Sequence, residues 1–144
     1  MKITLLKEIT PGVIRAFEKL IPQLSGTCRP PSEEELEEIV HSDTSYLFVA
    51  EENGEIIGTL SLVIYRIPTG MKAWIEDVVV DDSMRGRGIG RLLIQHAIDV
   101  ASDKGAESVN LTSSPVRVAA NRLYRHIGFE QRDTNVYRLA AMKI

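Results

Sequence analysis

The chain has 144 residues and a net charge of −3 at pH 7, and 44% of its residues are apolar. This length predicts one domain over residues 1–144 with a sizeable core, and the acidic balance argues against a nucleic-acid binder, which normally carries a basic face. The lone cysteine, Cys28, excludes an internal disulfide and fits a reducing compartment. No apolar run reaches the ~18 residues of a membrane span, so we expect a cytoplasmic protein with neither a nucleic-acid nor a membrane partner.

The first 45 residues predict one strand and two helices. Residues 2–8, KITLLKE, have the composition of a short strand. Pro11 suits the first turn of a helix whose apolar side chains recur at helical spacing, and Pro22 ends that helix. Ser32, with Glu35 three residues later, forms a capping-box pattern, which indicates the start of a second helix.

A hairpin and a further strand fill the middle of the chain. Asn53 and Gly54 tolerate positive φ and separate two strand-like runs, which is typical of a two-residue hairpin turn. Residues 72–80 are rich in β-branched side chains and predict another strand. A glycine-rich segment follows, and apolar residues at helical spacing then predict a helix from about Gly88 to Gly105.

The last third of the chain predicts a strand within 107–114, a helix within 116–129 that ends near Gly128, and two short strands around 133–135. The elements run β-α-α-β-β-β-α-β-α-β-β, which gives about seven strands and about four helices. Such an order predicts an α/β or α+β fold whose sheet is mixed and mostly antiparallel.

The segment SMRGRGIGRLL, residues 83–93, combines bare backbone with positive charge where the third helix begins. Free N–H groups and the aligned peptide dipoles make the first turn of a helix attractive to phosphate. Glycines let a pyrophosphate approach the backbone, and Arg85, Arg87 and Arg91 supply guanidinium groups that hold phosphate oxygens in pairs. The segment therefore predicts a phosphate-binding loop, with a plain basic turn as the alternative.

Two common phosphate motifs are excluded in this segment. A Walker loop ends in Gly-Lys-Ser/Thr, whereas Gly90 is followed by Arg-Leu. The dinucleotide fingerprint G-x-G-x-x-G also fails, because its third glycine position falls on Arg91 or Leu93. The pattern that remains is Arg85-x-x-Gly88-x-Gly90.

Two segments of the chain resemble the motifs of the GNAT superfamily of N-acetyltransferases. VVVDDSMRGRGIGRLLIQHAID is similar to the acyl-CoA-binding motif, in which an R/Q-x-x-G-x-G/A loop follows a strand. AANRLYRHIGF is similar to the A-x-x-L-Y-x-x-x-G-F pattern, at the expected distance. The residues of this second match are Ala120, Leu123, Tyr124, Gly128 and Phe129. The resemblance implies a single GNAT-like domain and covers nearly the whole chain, the first 45 residues matching in pattern only.

The resemblance implies acetyl-CoA as co-substrate. The backbone of Val78 and Val80 would then pair with the pantetheine arm, and the loop amides of residues 85–91 would hold the pyrophosphate. Family members often have a bulge in this strand that separates it from the next strand. The implied cofactor-binding residues are Val78, Val79, Val80, Arg85, Gly86, Arg87, Gly88, Ile89, Gly90, Arg91, Asn121 and Tyr124.

Acetyl transfer from a thioester to an amine needs an acid and a base. The resemblance implies that Tyr124 protonates the leaving thiolate, and a phenol with a pKa of about 10 is suited to that step. Glu76 is our candidate base, because strand alternation would place its side chain on the same face as that of Val78. The alternatives are a Tyr124 that only packs and a Glu76 that only binds a cationic acceptor.

The second motif departs from the family pattern at one position. Many relatives have asparagine seven residues before the tyrosine, where this chain has Arg117. Asn121 lies three residues before Tyr124, on the same helical face, and is our candidate to replace that asparagine.

Three function classes remain open on the sequence. The first is an acyl-CoA-dependent N-acetyltransferase and the second is a non-catalytic acyl-CoA sensor. Tyr124 favours the enzyme, because a sensor needs no acid at the sulfur. The third, RNA or DNA binding by the arginine cluster, is opposed by the acidic net charge and the lack of stacking aromatics.

The sequence says less about the binding partners than about the reaction. The acceptor amine is not identified, since the acidic residues 33–38 would attract a cation whereas Arg29 and Arg66 would attract an anion. Pairing into a homodimer is plausible, because small relatives often pair. No metal is expected, because the three histidines lack paired ligand spacing. His96 falls near the apolar stripe of its helix, which predicts a half-buried packing role.

Overall fold

The computed structural model describes residues 1–142, which form two compact units. The first unit, Met1–Thr112, contains the sheet, and the second begins at Ser113. The elements of the first unit are β1 (Lys2–Leu5), α1 (Pro11–Leu20), a 3-10 turn (Ile21–Gln23), α2 (Glu33–Val40), β2 (Ser45–Glu52), β3 (Glu55–Ile67), β4 (Gly70–Val80), a second 3-10 turn (Asp82–Met84), α3 (Ile89–Asp103) and β5 (Ser108–Asn110). The second unit contains α4 (Val118–Ile127).

The sheet follows chain order from β1 to β5. Its first four strands pair antiparallel, and β5 joins β4 in parallel. A parallel pair needs a long crossover, which α3 provides between β4 and β5. The predicted α/β class with a mixed, mostly antiparallel sheet is confirmed, as is the number of α-helices, four within residues 1–142.

The expected count of about seven strands is wrong for the described part of the chain, which contains five. The two strands expected around 133–135 do not form within residues 129–142. A hairpin is stable only when an apolar face is packed, and here Tyr137 and Leu139 are 87% and 90% exposed. Residues 143–144, the end of that expected hairpin, lie outside the described residues.

Local signals in the sequence set the ends of several elements. Pro11 occupies the first turn of α1, as predicted. Ser32 and Glu35 form the capping box of α2, with reciprocal side-chain-to-backbone hydrogen bonds of 3.1 and 2.9 Å. Asn53 and Gly54 adopt φ of 53° and 79°, which confirms the two-residue turn between β2 and β3.

The two faces of the sheet are covered by different helices. Val49 of β2 belongs to one buried cluster with Phe17 of α1 and Leu36 of α2, which defines the α1/α2 face. Its neighbour Phe48 contacts His96 of α3, with ring centroids 4.8 Å apart, which defines the α3 face. The packing role predicted for His96, which is half-buried, is thereby confirmed.

Candidate active site

A β-bulge interrupts β4 near its C-terminal end, between Glu76 and Val79. Ser61 of β3 lies opposite Glu76, and Thr59 lies opposite Val79. One residue of β3 therefore faces two residues of β4, Asp77 and its successor, which is the arrangement of a bulge. Asp77 adopts φ of 50°, a conformation that few residues other than glycine accept. The extra residue bends the strand just before its end.

The bulge changes which residues of β4 share a face with Glu76. Directly opposed residues point to the same face, so Glu76 shares a face with Ser61, and Val79 shares a face with Thr59. Because Ser61 and Thr59 are two residues apart, Glu76 and Val79 lie on one face. The expectation that Glu76 and Val78 share a face is wrong, since the inserted residue shifts the alternation by one.

The exposed Glu76 carboxylate belongs to the α1/α2 face of the sheet. Its face follows from the ladder, because Thr59 lies opposite Val49, which packs beneath α1 and α2. Trp74, two residues before Glu76, lies on this face as well, and its indole N–H donates to Tyr65 Oη at 2.8 Å. A carboxylate and a fixed aromatic pair therefore lie along one row of the sheet surface.

β4 and β5 part before the end of β4. They pair over three residues each, and the last pair is Trp74 with Asn110. β4 continues for six more residues to Val80, and no strand within residues 1–142 pairs with this stretch on the β5 side. An open strand edge results, which offers backbone donors and acceptors to an extended ligand.

The backbone of Val80 points toward this open edge. In an antiparallel ladder, residues that bond the partner strand alternate with residues whose N–H and C=O point away from it. Asp81 donates its N–H to the Ile57 carbonyl oxygen at 2.8 Å, while Val80 lies opposite Gly58. Asp81 therefore bonds toward β3, and Val80 presents its N–H and C=O to the β5 side.

The glycine loop is held in a conformation that requires glycine at two positions. Gly86 and Gly88 adopt φ of 80° and 78°. A β-carbon added at either glycine would meet nothing within 4 Å, so the space beside the loop is open. Gly88 also precedes the first residue of α3, and no side chain caps this 15-residue helix. Its first N–H groups and the positive end of its dipole are available to an anion.

The three arginines of the loop have different surroundings. Arg85 pairs with Asp82 at 2.7 Å, but both side chains are more than half exposed. Arg87 makes two hydrogen bonds to the carboxylate of Glu52, at 2.7 and 2.8 Å. These hydrogen bonds, and to a smaller extent the paired charges, raise the pKa of Arg87 and lower the pKa of Glu52. Arg91 is exposed on the first turn of α3. Carboxylates therefore already engage both Arg85 and Arg87, and of these two pairs only Arg87–Glu52 is bidentate.

Asp81, between β4 and the loop, is a buried residue that the sequence analysis missed. Its side chain accepts from Lys19 Nζ at 2.9 Å, Gln23 Nε2 at 3.2 Å and Ser83 Oγ at 3.1 Å. The bond from Lys19 is the main reason that its pKa falls to about 2. Gln23 also accepts from the Asp82 N–H at 2.8 Å. Gln23 lies 58 residues before Asp81 and Lys19 lies in the same N-terminal region, so no local pattern could have revealed this cluster.

The second unit holds the other two predicted site residues. Tyr124 is 8% exposed, and its ring contacts that of Phe129 edge to face, with centroids 6.0 Å apart. Burial raises the pKa of the phenol, which the charge of Arg117 partly offsets. Asn121 donates from Nδ2 to the Ser114 carbonyl oxygen at 2.9 Å, so its amide helps to shape the turn that leads into α4.

Two further observations concern metals and membranes. Within residues 1–142, no group of three or more His, Cys, Asp or Glu side chains is placed to hold a metal ion. None of the helices in that range has both the length and the hydropathy that crossing a bilayer requires.

Comparison with known proteins agrees with this geometry. The sequence profile of the acetyltransferase (GNAT) family matches residues 13–129. An uncharacterised N-acetyltransferase of Methanocaldococcus jannaschii is 33% identical over 98 residues, which are 66% of this chain and 43% of that protein. The glucosamine 6-phosphate N-acetyltransferase of Trypanosoma brucei brucei is 37% identical over 86 residues, 58% of this chain and 56% of that protein. A solved aminoglycoside acetyltransferase from an uncultured soil metagenomic sample, in complex with trehalose, has a TM-score of 0.82 and 26% identity, covering 99% of this chain and 96% of that one.

The chain belongs to the acetyltransferase (GNAT) family. The matched residues include the bulged strand, the glycine loop and α4, so the resemblance seen in the two sequence motifs is confirmed. The aligned region spans about half the length of the curated relatives named above.

Proposed function

We propose that this protein is an N-acetyltransferase that transfers the acetyl group of acetyl-CoA to a primary amine. The observation that carries the proposal is the continuous path formed by the open edge of β4, the glycine loop and the uncapped start of α3. An acyl-CoA has an extended amide-containing arm followed by a diphosphate, and this path offers backbone pairing followed by an anion site.

The cofactor is proposed to bind mainly through backbone groups. Its pantetheine amides pair with the outward-facing N–H and C=O of Val80, next to the bulge at residues 77–78. Its diphosphate accepts from the N–H groups of residues 86–91, where the glycines leave room for close approach. Arg91, exposed on the first turn of α3, adds positive charge beside the diphosphate.

The acceptor amine must lose a proton before it can attack. A lysine-like amine has a pKa of about 10.4 in water, so a base is needed near neutral pH. Glu76 is proposed for this role because its exposed carboxylate lies beside the bulge on the α1/α2 face. A bound water would relay the proton if the carboxylate does not reach the nitrogen directly.

Bond formation and proton transfer then balance as follows. The amine nitrogen bonds to the acetyl carbon, the carbon–sulfur bond breaks, and the thiolate leaves with the electron pair. Backbone N–H groups at the open edge of β4 stabilise the carbonyl oxygen as it gains charge. Tyr124 is proposed, from the family motif, to give its phenol proton to the thiolate, and the phenolate then regains a proton through water from the acylated nitrogen, which loses its remaining excess proton. Burial raises the pKa of Tyr124, so the phenol is protonated at neutral pH and has a proton to give.

We propose a primary amine as the acceptor and no more specific acceptor class. The Trypanosoma relative is named for glucosamine 6-phosphate and the metagenomic one for aminoglycosides. Amino sugars therefore belong in the first acceptor panel, together with an amino acid, a polyamine and a lysine peptide. Release of free thiol from acetyl-CoA, measured for each amine, tests the proposal.

The same assay separates an enzyme from a sensor. Amine-dependent thiol release that is lost in Tyr124→Phe and Glu76→Gln supports the proposed mechanism. Tight acetyl-CoA binding without thiol release from any amine would instead favour the sensor.

A homodimer also remains a proposal. Large apolar side chains are exposed in the C-terminal segment, and removing apolar surface from water favours association between chains. They are Val136, Tyr137, Leu139 and Met142, each at least 76% exposed. Light scattering that gives twice the chain mass for the native sequence, and the chain mass for Val136→Ser/Leu139→Ser, would support pairing through this segment. A native protein of single-chain mass would contradict it.

A further inference from the structure

We propose that Glu52 is a positioning residue for the glycine loop and that Arg87, its partner, anchors the loop instead of binding phosphate. The inference rests on the proposed acetyl-CoA site. It concerns how residues 85–88 are held before the cofactor arrives.

The contact between the two side chains is long-range and bidentate. Glu52 is the last residue of β2, and it lies 35 positions before Arg87 in the chain. Arg87 Nη1 lies 2.8 Å from Glu52 Oε2, and Nη2 lies 2.7 Å from Oε1. Nη1 also lies 3.0 Å from Met84 Sδ. The planar guanidinium is thus fixed on two sides, so this geometry is more specific than that of a single-contact surface pair.

The loop needs such an anchor because it has few other contacts. Gly86 and Gly88 flank Arg87, and a β-carbon at either position would meet nothing within 4 Å. Glycines have the largest backbone freedom in the unbound state, so ordering them when a ligand binds carries an entropic cost. The Arg87 side chain connects the middle of this glycine pair to the end of β2, next to the turn of the β2–β3 hairpin. The loop amides are therefore already arranged when the diphosphate arrives.

The charges make the two possible roles of Arg87 distinguishable. If Arg87 binds phosphate, Glu52 competes with the cofactor, and removing the carboxylate strengthens binding. If Arg87 anchors the loop, removing the carboxylate weakens binding. The Glu52 side chain is 23% exposed and that of Arg87 is 46% exposed, so water screens the pair only in part.

The experiment compares Glu52→Gln with Glu51→Gln as its matched control. Glu51 is adjacent on the same strand and pairs with Lys2 at 3.8 Å, away from the loop. We expect Glu52→Gln to raise the KM for acetyl-CoA roughly three- to tenfold. The kcat at saturating acetyl-CoA and the Tm of the free protein stay close to the native values. Glu51→Gln leaves all three unchanged.

Charge reversal provides the second arm. Arg87→Glu alone raises the KM for acetyl-CoA at least as much as Glu52→Gln does. The double variant Glu52→Arg/Arg87→Glu restores most of the native KM, because the pair is rebuilt in the opposite sense. A direct phosphate ligand could not be rescued in this way, since the double variant places a carboxylate on the loop.

NMR relaxation in the absence of cofactor separates this inference from the proposed function. The backbone N–H order parameters of residues 86–89 are expected to be lower in Glu52→Gln than in the native protein, whether or not the chain binds acetyl-CoA. Unchanged order parameters, an unchanged or lowered KM in Glu52→Gln, or failure of the double variant to rescue would overturn the positioning role. Native protein that binds no acetyl-CoA would overturn the proposed function alone.

Discussion

The ammonium of Lys19 lies 2.9 Å from Oδ2 of Asp81 and ties the last turn of α1 to the residue that follows β4. Gln23 strengthens the same connection, because it donates to the Asp81 carboxylate and accepts from the Asp82 N–H. The strand proposed to bind pantetheine therefore enters the glycine loop from a fixed point. The first helix of the chain supplies that point.

Acid should weaken the protein through Asp81. Its folded-state pKa of about 2 lies below the ordinary value of 3.8, so the ionised carboxylate stabilises the fold. That contribution is present above about pH 4 and is lost as the pH falls toward 2. Asp81→Asn should lower the free energy of unfolding at pH 6 by roughly 1–3 kcal/mol and flatten its pH dependence in this window. Urea unfolding at pH 2–6 measures both effects.

The control for Asp81 is the exposed Asp43, which lies in the turn before β2. Asp43→Asn should leave the pH dependence of unfolding as it is in the native protein. A native-like acid profile in Asp81→Asn would show that the contact with Lys19 does not stabilise the fold.

Gly88 should tolerate no side chain without strain. Its φ of 78° is in the left-handed region, and an added β-carbon would meet no neighbouring atom, so the cost of substitution is conformational. Gly88→Ala should lower stability by roughly 1 kcal/mol and raise the KM for acetyl-CoA, because the loop amides rotate. Gly26 has equally open surroundings without a positive φ, and Gly26→Ala is the control. Equal melting temperatures for the two variants would contradict this account of the loop.

The bulge at Asp77 predicts an order of stability among substitutions. With φ of 50°, Asp77→Val should destabilise the protein by roughly 1–2 kcal/mol, because a β-branched residue fits this region poorly. Asp77→Asn should be close to neutral, and Asp77→Gly close to neutral or slightly stabilising. Thermal unfolding ranks the three variants. A valine variant as stable as the asparagine variant would mean that the strand runs through position 77 without a bulge.

Tyr124 should affect turnover far more than cofactor binding. Tyr124→Phe keeps the ring and its contact with Phe129 but removes the transferable proton, so kcat should fall about tenfold or more while acetyl-CoA affinity stays nearly native. Because burial raises the pKa of the phenol, loss of activity from its ionisation should begin only above its ordinary value of 10.0. Steady-state kinetics across the pH range test both statements. Native kcat in the phenylalanine variant would remove Tyr124 from the mechanism.

Much of the fold follows from local interactions that the sequence pattern predicts. Pro11, the Ser32–Glu35 capping box and the Asn53–Gly54 turn act within a few residues, so their patterns predict element ends directly. The hairpin expected near the C-terminus does not form within residues 129–142, because it lacks such strong local signals. Its local pattern is weak, and a strand pair depends on packing that a local pattern does not specify.

The site is predictable only in part. The glycine loop is predictable because its residues are adjacent in the sequence. The bulge at Asp77 instead places Glu76 and Val78 on different faces, through a register shift that the sequence of one strand cannot reveal. The pairs Arg87–Glu52 and Lys19–Asp81 join residues that are distant in the chain. Arg87 therefore resembled a phosphate ligand in the sequence, while the structure places a carboxylate against it.

The most direct measurement is a calorimetric titration of the native protein with acetyl-CoA and, in parallel, with acetyl-pantetheine, which has the same thioester arm but no diphosphate. We predict saturable binding of one acetyl-CoA per chain and at least about tenfold weaker binding of acetyl-pantetheine, because the loop amides and the start of α3 bind the diphosphate. Absence of saturable acetyl-CoA binding, or equal affinity for the two ligands, would contradict the assignment of the glycine loop.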